Sequence, residues 1–172
     1  MSLTKVSYSM IAGEAINVLD YGAVGDGVTD DMQAIMDAIN AAAPGQAVYF
    51  PAGVYFVDPP TDDGMIFTNL SKIVFFGSMA TIKQAFSNRK AIFTFNGCNN
   101  LTFDGLIFDL NGRELFGGCL KFYGGSEFRI QNCTFTDSDP SPSTSDRFHL
   151  VVADDVTYGN CGDVYITNNL IE

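Results

Sequence analysis

Beyond residue 47 the chain reads as short stretches with alternating apolar positions, separated by Gly, Pro, Asn and Asp. That is the pattern of half-buried strands joined by bends. Ahead of them, one stretch has a different period. Met32, Ile35, Met36 and Ile39 follow the i, i+3, i+4, i+7 spacing of a helix face, with Ala34, Ala38 and Ala42 beside them. Thr29 or Asp30 supplies its N-cap, and Gln33, three residues after Asp30, completes something close to a capping box. Asp30 and Asp31 suit the positive end of the helix dipole, and Pro44-Gly45 stops the helix, which is predicted over 29–43. Residues 16–21 (INVLDY) are predicted as a short strand leading into a glycine-rich turn from Gly22 to Gly27. Residues 47–50 and 54–57 are predicted strands on either side of a Pro51-Ala-Gly53 turn.

The strand region repeats. The segments 101-LTFDGLIF-108, 128-FRIQNCTF-135 and 164-VYITNNLI-171 share one form, at offsets of 27 (128 − 101) and 36 (164 − 128) residues. Between them 93-FTF-95, 120-LKF-122 and 150-LVV-152 form a second column, at offsets of 27 (120 − 93) and 30 (150 − 120). The longer offsets are assigned to a loop at 137–147 and an extended crossing at 153–163. Stacking turn on turn puts Leu101, Phe128 and Val164 in one inward column. Phe103, Ile130 and Ile166 make a second, and Phe108, Phe135 and Ile171 a third. Rungs ~4.8 Å apart then satisfy one another's backbone groups, as in a parallel β-helix. About three full rungs are legible in this way. Asn132 and Asn168 fall in register at a bend, either as a short side-chain ladder or as two ordinary turn asparagines. The domain division is an arm at 1–15 and one all-β solenoid domain at 16–172, with a helical cap at 29–43 and rungs from 47 onward. The segment Val164 to Ile171 starts a rung whose upper edge is predicted to be unpaired, so we expect a longer protein or a covering partner.

Composition narrows the functional classes. The 172 residues carry 20 acidic and 9 basic side chains, a formal charge of −11, with no basic stripe. Nucleic acid and anionic membranes are therefore poor partners. A neutral sugar polymer meets no such barrier, whereas an anionic one needs a bridging cation or a local basic patch. The N-terminal stretch does not read as a signal peptide, so none is expected, and no stretch approaches a membrane span. The cysteines Cys98, Cys119, Cys133 and Cys161 form no CxxC, and His149 is the sole histidine, so no metal site is expected and the thiols are expected to be free and mostly buried. Cys98 and Cys161 each precede a strand by three residues but stand two rungs apart, about 9–10 Å, too far for a disulfide.

The run Asn17-Val-Leu-Asp20-Tyr21-Gly22-Ala-Val-Gly25-Asp26-Gly27-Val-Thr29-Asp30-Asp31 is followed by Ala34-Ile35 and Ala38-Ile39, then by Val48-Tyr-Phe50-Pro51-Ala-Gly53-Val-Tyr55. It resembles the opening of pectate-lyase-superfamily proteins, which include polygalacturonase-like and rhamnogalacturonase-like enzymes and phage tailspike depolymerases. The resemblance implies a right-handed parallel β-helix whose N-terminal end is capped by the helix. It also implies that Asp20, Gly22, Asp26, Gly27, Asp30, Asp31, Pro51 and Gly53 are structural. The lead-in from Thr4 to Ile11 is similar to the starts of phage tailspike and tail-fibre proteins. That implies a virion location after synthesis in a host cytoplasm, a homotrimer, and other tail proteins as partners.

Candidate chemistry is thinner. Glycoside hydrolysis requires two carboxylates; Asp154 and Asp155 are the leading acidic pair, one rung above Asp137 and Asp139, and all four also fit solvated loops. Tyr123, Tyr158 and Tyr165 suit either sugar stacking or simple strand formation. Lyase chemistry needs a base and charge neutralisation by Ca²⁺ or by a cation such as Arg113, Lys121 or Arg129, so no cofactor is required unless the chain is a lyase. Three readings follow: a tailspike-type protein binding or depolymerising a bacterial surface polysaccharide, a free bacterial pectate-lyase-like enzyme, and a non-catalytic tail adaptor.

Overall fold

The computed structural model describes residues 15–61, 63–85, 91–111, 119–136, 150–153, 155 and 157–171. These form a parallel β-solenoid of about four turns with one short α-helix near its N-terminus. Residues 1–14 of the predicted arm and the whole predicted loop at 137–147 lie outside the described residues.

The N-terminal motif builds the cap. β1 (Ile16–Asn17) is shorter than the predicted strand, because Val18–Tyr21 turn into a 3-10 helix. Asn17 Oδ1 accepts the Leu19 N–H at 3.1 Å and Gly22 closes the turn at φ 98°, so the local side-chain bond wins over strand extension. Asp20 is exposed on this turn. β2 (Asp26–Asp30) pairs in parallel with β4 (Gly53–Val57). It takes Thr29 and Asp30 out of the predicted helix, and α1 runs only from Met32 to Ala41.

Each aspartate of the motif has a separate task. Asp26 accepts from the Val28 and Thr29 amides at 2.9 and 2.8 Å and from the Thr29 hydroxyl. Those donors, the Thr29 amide first, hold its carboxyl below the usual range. Asp30 takes the first helical amide, Met32 N–H, at 3.0 Å. Asp31, though it occupies the cap position, makes no capping bond. Its buried carboxylate points back to the Val24 and Gly25 amides at 2.6 and 3.0 Å. The expected capping box is absent, since the Gln33 side-chain amide donates to Asp37 instead. Tyr55 donates its hydroxyl to the Pro51 carbonyl at 2.8 Å and fixes the second turn of the motif. α1 buries Ile35, Ala38 and Ile39 against the first rung.

The rungs follow in two sheets. One contains β3 (Ala47–Phe50), β6 (Ser71–Gln84), β8 (Asn99–Asp109), β10 (Phe128–Gln131), β11 (Thr134–Thr136), β13 (Val164–Thr167) and β14 (Leu170–Ile171), together with β1, β2 and β4. The other stacks β5 (Met65–Thr68), β7 (Phe93–Asn96), β9 (Leu120–Tyr123) and β12 (Leu150–Ala153). The three predicted inward columns hold: Phe128 pairs with Val164, Ile130 with both Phe103 and Ile166, and Phe135 with both Phe108 and Ile171. The second column, Phe93–Leu120–Leu150, holds as well. Below the rungs legible from the repeat lies another, 65–84, in which Ile73, Phe75 and Ile82 underlie Leu101, Phe103 and Phe108. The repeat does not reveal this rung, because β6 bulges between Phe76 and Ala80, which breaks the spacing. The segment 153–163 is not an extended crossing. Asp155 and Gly159 exchange backbone hydrogen bonds around a tight turn, and Cys161 returns to bridge Gly125.

Phenylalanines stack along the axis. Phe75 lies on Phe103 at 4.7 Å, Phe95 on Phe122 at 5.4 Å, and Phe108 on Phe135 at 5.3 Å, all near parallel. The corners repeat too. Asn69, Gly97 and Gly124 form one column of left-handed residues, and Lys72, Asn100 and Glu127 another. Met79, Gly105, Asn132 and Asn168 line the bend between the two halves of the long strands. Here the asparagines serve as bend residues: the Asn132 amide donates to Asp104 at 2.8 Å, across to the rung below. In the top layer Ile166 is 56% exposed, whereas Ile130 beneath it is 1% exposed.

Two predictions follow from this register. Phe103→Ala and Phe108→Ala should each cost about 3–5 kcal/mol, as buried Phe truncations do, while Tyr123→Ala on the outer face should cost far less. Equal losses of melting temperature at all three would contradict the stacking. Met79, 74% exposed, holds φ 58°, a conformation Asn adopts more cheaply. Met79→Asn should therefore stabilise by about 0.5–1 kcal/mol in denaturant titration; a lower midpoint would refute strain at this corner.

Candidate functional site

A cleft of about 240 Å³ lies on the outer face of the second sheet. Strand alternation explains its floor. In β7, Phe93 and Phe95 point into the core, so Thr94 and Asn96 point out. Ile66 is the outward residue one rung below Thr94, and Tyr123 stands one rung above Asn96. Asp63, in the turn before β5, and Asp155 and Tyr158, in the turn after β12, complete the lining.

The two turns are anchored. Thr94 donates its hydroxyl to the Asp63 carbonyl, and Asp63 Oδ1 meets Lys121 Nζ at 3.1 Å. Lys121, the outward residue above Thr94, is only 6% exposed. Asp155 accepts the Thr157 and Tyr158 amides at 2.7 and 3.1 Å, which closes its own turn. Tyr158 then lies against the corner column: a Cβ on Gly97 would sit 3.1 Å from its ring, and one on Gly124 only 2.4 Å from its carbonyl oxygen. The missing side chains of these two glycines leave the space in which the turn folds over the sheet.

Of the residues predicted from sequence, Tyr123, Asp155 and Tyr158 come together here. Asp154, Asp137 and Asp139 lie outside the described residues. Tyr165 belongs to the other sheet, where the Arg129 guanidinium sits 5.2 Å from its ring centre, so neither residue reaches the cleft. Asp63, Ile66, Thr94 and Asn96 were missed. The signal was present, since Thr94 and Asn96 occupy the outward positions of a recognised column and 65-MIFT-68 lies one rung below it. Among the described residues no group of three metal-ligating side chains exists. The cleft can present aromatic faces, an amide and two carboxylates to a ligand.

The cysteines stand apart from this chemistry. Cys98, Cys119 and Cys133 are buried. Burial pushes the Cys98 and Cys133 thiols up to about 11 and Cys119 well above its ordinary range. Cys98 and Cys161 are separated by the Gly125 rung, as the spacing required.

Three comparisons bear on this geometry. The family described as rhamnogalacturonase A/epimerase, pectate lyase-like matches residues 15–169. The mannuronan C5-epimerase AlgE1 of Azotobacter vinelandii is 29% identical over 181 residues, covering 88% of this chain and 12% of its own. Among solved structures, the Streptococcus pneumoniae surface protein and adhesin PfbA superposes with a TM-score of 0.61 at 23% identity, over 90% of this chain and 52% of its own. The iota-carrageenase of A. fortis gives 0.65 at 18% identity, over 99% and 43%. The chain thus spans about an eighth of the epimerase and about half of each solved structure.

Native protein at pH 8 should titrate at most one thiol with a disulfide reagent, Cys161, which is the partly exposed one, and four after denaturation. Rapid native labelling of Cys98 or Cys133 would show that these rungs open.

Proposed function

The chain belongs to the rhamnogalacturonase A/epimerase, pectate lyase-like family, and we propose that its cleft on the second sheet binds a polysaccharide chain laid across the rungs. The carrying observation is the convergence of Tyr123, Tyr158, Asn96, Thr94, Asp63 and Asp155 in one open depression. Aromatic faces stack on pyranose rings, and amide, hydroxyl and carboxylate groups pair with sugar hydroxyls. The relatives support this class. One is named for mannuronan epimerisation, and a structural neighbour is a carrageenase. The finer proposal is a bacterial surface polysaccharide bound or depolymerised by a virion tailspike, trimeric and attached through residues 1–15. Its support is the lead-in from Thr4 to Ile11.

Binding is measured on an array of bacterial capsular and wall polysaccharides, then by calorimetry on the best ligand. Tyr123→Ala and Tyr158→Ala should each weaken binding at least tenfold with cooperative unfolding retained. Unchanged affinity in both variants would remove the cleft from the binding surface.

A further inference from the structure

The outer face of the first sheet holds a cation that the fold orders but leaves without a counter-ion. In β10, Phe128 and Ile130 point into the core, so Arg129 and Gln131 point out. Arg129 has Thr102 one rung below it and Tyr165 one rung above, and Gln131 has Thr167 above it. The Arg129 guanidinium sits 5.2 Å from the ring centre of Tyr165, a cation–π contact that fixes its place. Among the described residues it makes no ion pair, whereas Lys83 meets Asp109 at 3.6 Å and Lys121 meets Asp63 at 3.1 Å. A chain with 20 acidic and 9 basic residues has carboxylates enough to pair it. Those around it are otherwise placed. Asp104, the partner of Gln131 one rung below, accepts the Gln131 amide at 3.1 Å on one oxygen and the Asn132 amide at 2.8 Å on the other. Glu127 and Asp163, immediately before β10 and β13, are exposed.

We propose that Arg129 and Tyr165 form a second saccharide-binding surface, on the other sheet from the cleft, that takes the carboxylate of an isolated acidic sugar. That the anion is a saccharide rests on the polysaccharide reading above. A guanidinium offers two parallel N–H groups to a carboxylate, a match that an ammonium lacks. The groups around it are neutral and suit a hydroxyl-rich ligand. Thr102, Gln131 and Thr167 offer hydroxyl and amide groups to sugar hydroxyls, and Tyr165 offers an exposed ring. Glu127 and Asp163 at the border repel further negative charge, so the surface favours one acidic sugar among neutral ones over a run of acidic ones.

The test is an NMR titration of the ¹⁵N-labelled chain, read at the Arg129 side-chain Nε–H and at the amides of β10 and β13. The probes are a disaccharide of glucuronate and glucose, the neutral diglucoside of the same linkage, and acetate. The acidic disaccharide should shift these signals and bind at least tenfold more tightly than either of the other two. The preference should fade at 1 M salt, where the screening length is ~3 Å. Arg129→Met, which keeps the stem beside Tyr165, should abolish it. Tyr123→Ala combined with Tyr158→Ala should leave it unchanged, since those residues line the cleft. The shifts are read on the native chain, so the outcome does not depend on the folding of a variant. No shift around Arg129 overturns the second surface and leaves the cleft reading standing. Acetate binding as tight as the acidic disaccharide marks a simple anion site and overturns the saccharide assignment. A preference retained in Arg129→Met overturns the role of Arg129, and one lost in the cleft variant overturns the independence of the two surfaces.

Discussion

The structure depends on one constraint: no strand of a solenoid satisfies its backbone within its own turn. Each N–H and C=O must find a partner one rung up or down, so every turn of the chain has to keep the register of its neighbours. Register fails if corners differ in shape. The corners here are therefore columns of left-handed residues, such as Asn69, Gly97 and Gly124. The phenylalanine stacks follow from the same rule, because in-register parallel strands place like positions directly over one another.

A rung with nothing beneath it is the weak point of such a design, and the N-terminal motif meets it. α1 covers the first layer with Ile35, Ala38 and Ile39. The chain must reverse between β1 and that helix, and Asp31 makes the reversal possible by gathering two loop amides onto a buried carboxylate. The burial of that charge is offset by charge-assisted bonds. Nearby, desolvation and then the Asp31 charge push the Tyr55 hydroxyl up to about 12, so it stays a donor to Pro51.

The cleft uses the regularity of the sheet as a floor and irregular turns as walls. Alternation guarantees that every rung offers outward residues at fixed spacing, which suits a repeating polymer. Recognition groups can then be supplied by turns at either end of the sheet, Asp63 from before β5 and Asp155 and Tyr158 from after β12. Under the proposed function, variation in such turns would change the ligand without disturbing the stack.

The solenoid, the identity of its inward columns and the presence of a helical cap were all legible in the amino-acid pattern. Those features are written in periodicity, and periodicity survives without knowledge of contacts. Leu101, Phe103 and Phe108 could be aligned with Phe128, Ile130 and Phe135 because equal spacing in sequence becomes equal height in space. The rung at 65–84 was hidden by a bulge at Phe76–Ala80, and the helix start was misplaced because β2 competes for Thr29 and Asp30 through long-range pairing with β4. The cleft was decided by tertiary structure. Asp63 and Lys121 lie 58 residues apart in sequence, and they meet at 3.1 Å only after two rungs have stacked. Nothing local marks Asp63 as different from the other aspartates of this acidic chain. Its place at the cleft comes from the ion pair with the lysine that the fold sets beneath it.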